Sequence, residues 1–173
     1  MRNPRAAIAA AILAALALTA AQATVANGPP QPVPPPEPIE LPAGIACPDF
    51  SLRVSWSGGN VHTKQFVDRN GNTVKIITAG KGFLLTYTNL DAGTSVTIRT
   101  DGSVSKTTFN PDGTQTVSAT GHNGLIMFPT DIPAGPTTTH YIGRIVYTID
   151  EEGVFTLVRT SNNQRDICAE LAN

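Results

Sequence analysis

The chain of 173 residues holds two cysteines, and they bracket almost everything in it that can fold. Cys47 stands just before the first strand-like run and Cys168 just after the last. In an oxidising compartment such a pair is expected to bond to each other. The loop they close exceeds 100 residues, worth about 4–5 kcal/mol in the chain-entropy model. The bond also limits topology. A flat sheet of about ten strands would hold its first and last strands roughly 43 Å apart. A disulfide needs its two Cα atoms within about 7 Å. The linking residues Ser161–Ile167 span roughly 24 Å when fully extended. The expected fold is therefore all-β: an antiparallel meander of about ten strands, closed into a barrel or barrel-like sandwich, with a short C-terminal helical turn.

The strands are read from Val-, Ile-, Thr- and aromatic-rich runs cut by turn residues. They are Phe50–Ser57, Val61–Val67, Thr73–Thr78, Phe83–Thr88, Ser95–Thr100, Val104–Phe109, Gln115–Thr120, Leu125–Phe128, Thr138–Ile149 and Val154–Thr160. In the first, Phe50, Leu52, Val54 and Trp56 alternate with polar residues and define one face. Gly143 should bend or bulge the long run around it. Asn70-Gly71, Asp101-Gly102, Asn110-Pro111-Asp112-Gly113 and Asp150-Glu151-Glu152-Gly153 supply the positive φ that tight hairpin turns need. After the last strand, Ile167 and Leu171 share a face of a short helical tail that covers one end of the core.

Two segments precede the β domain. Residues 1–23 read as an export signal: Arg2 and Arg5, the apolar run Ala6–Ala20, then the cleavage site Ala21-Gln22-Ala23. Residues 24–46 form a Pro-rich linker, with nine of the chain's fourteen prolines between Asn27 and Pro48. Proline lacks an N–H, so this stretch is expected to be an extended spacer. The β domain then covers residues 47–173. Cleavage after Ala23 leaves ten basic and thirteen acidic residues, a net charge of −3. That balance argues against a nucleic-acid partner. The apolar run is too short to remain as a membrane span, so no integral membrane segment is expected after cleavage. The expected location is secreted, extracellular.

Motifs for chemistry are sparse, and no catalytic, cofactor-binding or metal-binding residue is assigned. His62, His122 and His140 lack metal-ligand spacing. Asp68-Arg69-Asn70-Gly71-Asn72 starts like a calcium loop, but Thr73 and Ala79 stand where its Gly and Glu belong, so it reads as a hairpin turn. Nucleophile elbows, phosphate-binding Gly loops and dinucleotide fingerprints do not occur. Arg99, Arg144 and Arg159 are expected to face water. The apolar run Leu125-Ile126-Met127-Phe128 is either buried on both faces or exposed and sticky. A Pro-rich loop follows it, either a wide connection or a lid. A ligand mouth would be built here, from Leu125, Met127, Phe128 and Tyr141.

The layout resembles a group of uncharacterised secreted β-rich proteins of actinobacteria. The shared marks are an Ala-rich signal, a Pro-rich leader, and a Cys before the first strand. They continue with Phe66, Asp68 and Gly71, then Leu125 to Pro129, then Asp166, Cys168 and Leu171. The resemblance supplies no activity and no cofactor. Three readings follow from the residues. The first is a secreted binding protein holding a small apolar or amphipathic molecule in a β-barrel. The second is a cell-envelope or extracellular interaction module that recognises a partner such as an envelope protein. The third is an enzyme of a barrel type without familiar motifs.

Overall fold

A computed structural model describes residues 27–172. The expected export signal, residues 1–23, lies outside them. The described residues form, in order, the strands β1 (Gln31–Val33), β2 (Ile39–Leu41), β3 (Leu52–Ser57), β4 (Asn60–Val67), β5 (Thr73–Lys81), β6 (Leu84–Asn89), β7 (Ser95–Arg99), β8 (Val104–Phe109), β9 (Gln115–Thr120), β10 (His122–Met127), β11 (Thr137–Ile142), β12 (Ile145–Ile149), β13 (Phe155–Arg159) and β14 (Gln164–Asp166), then the helix α1 (Ile167–Leu171). They form three antiparallel sheets. The largest runs β1-β4-β5-β8-β9-β12-β13; a four-stranded sheet runs β2-β3-β6-β7, and a three-stranded one β10-β11-β14.

The order hides a simpler plan. From β3 onward the chain is a meander of six long strands, each broken once near its middle. One half of each long strand joins the seven-stranded sheet. The other half joins the four-stranded sheet in the first three and the three-stranded sheet in the last three. In the first five, the break falls at glycine: Gly58-Gly59, Gly80 to Gly82, Gly102, Gly121 and Gly143. The breaks touch their neighbours. A Cβ on Gly82 would lie 2.0 Å from the Thr100 carbonyl oxygen, and one on Gly121 would lie 2.5 Å from that of Gly102. The Gly143 N–H donates to the Gly121 carbonyl at 2.7 Å. Together these glycines make a crease along which the whole meander folds. Only a residue without Cβ allows backbones to approach this closely.

No sheet closes on itself, which corrects the expected barrel. A wide separation of the first and last strands holds only for a single flat layer. Creasing solves the same problem by folding: the four-stranded sheet packs against the three-stranded sheet, and Cys47 and Cys168 meet inside the contact. Their Cα atoms lie 5.5 Å apart and the disulfide is formed. The Asp101-Gly102 turn is corrected with it. It is not a hairpin, because β7 and β8 belong to different sheets. The turns at Gly71, Gly113 and Gly153 do close hairpins, each with positive φ.

The Pro-rich segment is also more than a spacer. β1 pairs with β4, placing Pro32 opposite His62, and β2 pairs with β3, placing Leu41 opposite Leu52. Both are edge strands, where a missing N–H costs least. Val33, Leu41 and Ala46 are buried. From Gln31 the leader therefore fastens the outer edges of two sheets to each other.

Two cores result. The first gathers Leu41, Phe50, Leu52, Val54, Leu85, Tyr87, Ile98 and the disulfide under Ile167 and Leu171 of α1, with Ile126 and Phe128 packed against it. The short helix covers one end of this core, as its sequence implies, and Asp166 caps it by accepting from the Ala169 N–H. The second core holds Val117, Ala119, Leu125, Met127, Tyr141, Ile145, Ile149 and Phe155.

The crease can be tested by substitution. Gly121 has φ +84° and Gly93 has φ +75°, but a Cβ on Gly93 meets nothing. Gly93→Ala should cost only the left-handed strain, about 1–2 kcal/mol. Gly121→Ala adds a forced backbone contact and should cost about 2–4 kcal/mol in all. Denaturant midpoints would compare them, and equal losses would show that the crease does not depend on close approach.

Candidate functional site

The residues expected at a ligand mouth are packing residues. In β10 the side chains alternate between the two cores. Leu125 and Met127 enter the second core, and Ile126 and Phe128 pack against the first. Tyr141, from neighbouring β11, joins Leu125 and Met127. The apolar run is thus buried on both faces because its sheet is sandwiched between two others. The loop after it is pinned as well. Buried Asp131 accepts from the Phe128 N–H at 2.5 Å and the Phe155 N–H at 3.0 Å. Ile132 exchanges backbone hydrogen bonds with Phe155 and Leu157, so the loop is sewn to the outer edge of β13.

A histidine pair escapes sequence reading because 18 residues separate its members. Folding β10 against β11 brings His122 Nδ1 to 3.3 Å from His140 Nε2. His140 is fully buried, and its Nδ1 has no hydrogen-bond partner. Arg165 stands opposite it on β14 and holds Glu170 of α1 in a two-point ion pair at 2.9 and 2.5 Å. The Tyr87 hydroxyl, from β6, packs over Gly124, the register partner of His140. Burial, with His122 and then Arg165 adding to it, lowers the His140 pKa to about 4, against a smaller opposing effect of Glu170. Burial likewise raises that of Tyr87. Both carboxylate oxygens of Glu170 are engaged by Arg165. Among the described residues no group of three or more His, Cys, Asp or Glu could hold a metal ion.

This arrangement reads as a buried neutral imidazole inside the sheet contact, with a consequence for stability. The unfolded chain binds a proton on His140 near pH 6.5, and the folded one only near pH 4. Stability contributed by the neutral ring is complete above pH 6.5, falls as pH drops between these values, and levels off below. The full loss would approach roughly 3 kcal/mol. His140→Gln should flatten this part of a stability–pH profile measured by urea unfolding. An unchanged slope would show that other groups cause it.

The remaining chemistry lies on the seven-stranded sheet, and register settles which residues share a face. Lys64 of β4 stands beside Ile77, then Lys106, Ser118, Val146 and Arg159, one residue from each of six strands. The next row is Phe66, Lys75, Thr108, Thr116, Thr148 and Thr156. His62, Ala79, Val104 and Thr120 form a third. None of the apolar side chains on this face belongs to either core. Lys106, Val104, Thr120 and Arg159 are exposed.

The charges on this sheet are of one sign. Its strands carry Lys64, Lys75, Lys81, Lys106 and Arg159, and no Asp or Glu. All five share this face, since Lys81 is paired with Asn60 in the same register. None of them makes an ion pair among the described residues; those that form lie elsewhere, at Arg53–Glu40, Arg99–Asp101 and Arg165–Glu170. Lys75 Nζ sits 4.2 Å from the Phe66 ring centre and Lys64 Nζ 5.3 Å from it. The acidic residues collect instead at the hairpin rim: Asp68, Asp112, Asp150, Glu151 and Glu152. Three of them are consumed by turns, Asp150 by accepting from the Val154 N–H at 2.8 Å. Asp68 accepts from the N–H groups of Asn70 and Asn72, and Asp112 from Thr114, and these bonds lower both carboxyl pKa values. Arg99, Arg144 and Arg159 are all exposed, as their sequence positions imply.

No family model, curated protein or solved structure matches this chain. Among the described residues no helix is long and apolar enough to cross a membrane.

Proposed function

We propose that this is an exported interaction module of the cell envelope or its surroundings, which binds its partner through the open face of the seven-stranded sheet. The observation that carries the reading is the gathering of five cations on one uncovered face, without an acidic residue among its strands. Paired cations serve structure; unpaired ones on a flat apolar and hydroxyl-bearing face favour an external anionic partner. The disulfide fits an oxidising compartment, and the signal-like residues 1–23 supply the route to it. A ligand held inside a barrel is less favoured, because the residues expected at its mouth fill cores.

The reading is tested by adding the disulfide-bonded chain, residues 24–173, to washed actinobacterial cell walls and measuring the fraction that sediments. The wild type should sediment with the walls. Lys64→Glu with Lys106→Glu should reduce that fraction at least tenfold, with an unchanged thermal midpoint. Failure to sediment, or no effect of the charge reversals, would overturn it.

A further inference from the structure

We infer that the partner of this face is a linear acidic polysaccharide that lies across the strands, along the row Lys64–Lys106–Arg159. The inference rests on the interaction-module reading and names its ligand. Neighbouring strands are about 4.8 Å apart, so Lys64 and Lys106 stand about 10 Å apart and Lys106 and Arg159 about 14 Å. A row of cations perpendicular to the strands matches a chain with carboxylates at intervals, rather than one compact anion.

The row alongside offers hydroxyl groups. Thr108, Thr116, Thr148 and Thr156 occupy adjacent strands in register, with Ser118 between Lys106 and Val146. Each hydroxyl both donates and accepts, which suits a polyhydroxylated chain lying over them. Four of the five cations are lysines, point charges rather than the planar forks favoured for phosphate. Phe66 and His62 are the aromatic rings on the face, and two lysines already attend Phe66. A single-stranded nucleic acid would want several rings for stacking.

The acidic rim limits the ligand's width. Asp68 lies four residues beyond Lys64, about 13 Å along the strand. That exceeds the screening distance of about 8 Å at physiological salt. A narrow polymer lying parallel to the rim, with its carboxylates on the lysine row and its hydroxyls toward the threonine row, keeps its charges about 13 Å from those of the rim. An anionic bilayer or a duplex would extend over the rim and meet Asp112, Asp150, Glu151 and Glu152.

The test uses the disulfide-bonded chain, residues 24–173, with polygalacturonate as probe, and phosphatidylglycerol vesicles, single-stranded DNA and neutral dextran as comparisons. Affinity electrophoresis should show retardation by polygalacturonate alone, weakening with salt. Lys64→Gln, Lys106→Gln and Arg159→Gln together should weaken it at least tenfold. Arg53→Gln, Arg99→Gln and Arg144→Gln change net charge equally but lie off this row, and should leave it unchanged. Thr116→Val with Thr148→Val should weaken it several-fold with its salt dependence kept. Equal losses from the two triple variants, or tighter binding to vesicles or DNA, would overturn the inference. Sedimentation with walls that persists without binding to polygalacturonate would reject the polymer and leave the docking face standing. Loss of both would reject the two together.

Discussion

Close backbone approach along the glycine crease is the constraint on which the rest of the molecule depends. If the six long strands ran straight, they would form one broad sheet with little to bury either face. Broken in register, they stack upon themselves. The fold makes two cores from one meander, and β10 is sealed between them with apolar residues on both sides. It also brings together side chains far apart in the chain: the disulfide joins Cys47 to Cys168, 121 positions on, and needs the crease to exist first.

The crease also determines which surface is left over. Packing claims the inner face of the seven-stranded sheet where β9, β12 and β13 meet the three-stranded sheet. The opposite face has no second layer in either core. Its lysines, threonines and few apolar residues would be costly in an interior, since unpaired cations resist burial. Charge therefore separates by geometry: cations occupy the face, and carboxylates occupy turns where backbone N–H groups can meet them. A net charge near zero conceals this division completely.

Much of the local structure was readable from the sequence. Alternation in Leu52–Ser57 and the turn residues at Asn70-Gly71, Pro111 to Gly113 and Asp150 to Gly153 mark strands and hairpins that the fold contains. So do the bend at Gly143 and the helical tail at Ile167 and Leu171. The glycines of the crease were visible too, but a glycine at a strand end looks the same whether the chain reverses or changes sheet. Asp101-Gly102 shows this, having the sequence of a hairpin and the role of a crossing. The edge strands of the Pro-rich leader are hidden for a related reason. Proline excludes a central strand, yet Gln31, Val33, Ile39 and Leu41 remain free to pair at an edge. The cationic face required cross-strand register, which no single strand displays. Lys64 and Lys106 become neighbours only through Ile77.

The disulfide has a mechanical consequence. It joins residue 47 to residue 168, a separation of 121 positions. Tension applied between the chain's two ends passes through that covalent link and never reaches β3 to β14. Only β1, β2 and the end of α1 beyond Cys168 stand in the line of force, and each of the two strands is held by a single neighbouring strand. A tethered molecule under shear would thus surrender its edge strands first, lengthening by the leader, while the cation-bearing face stays folded behind a sulfur–sulfur bond.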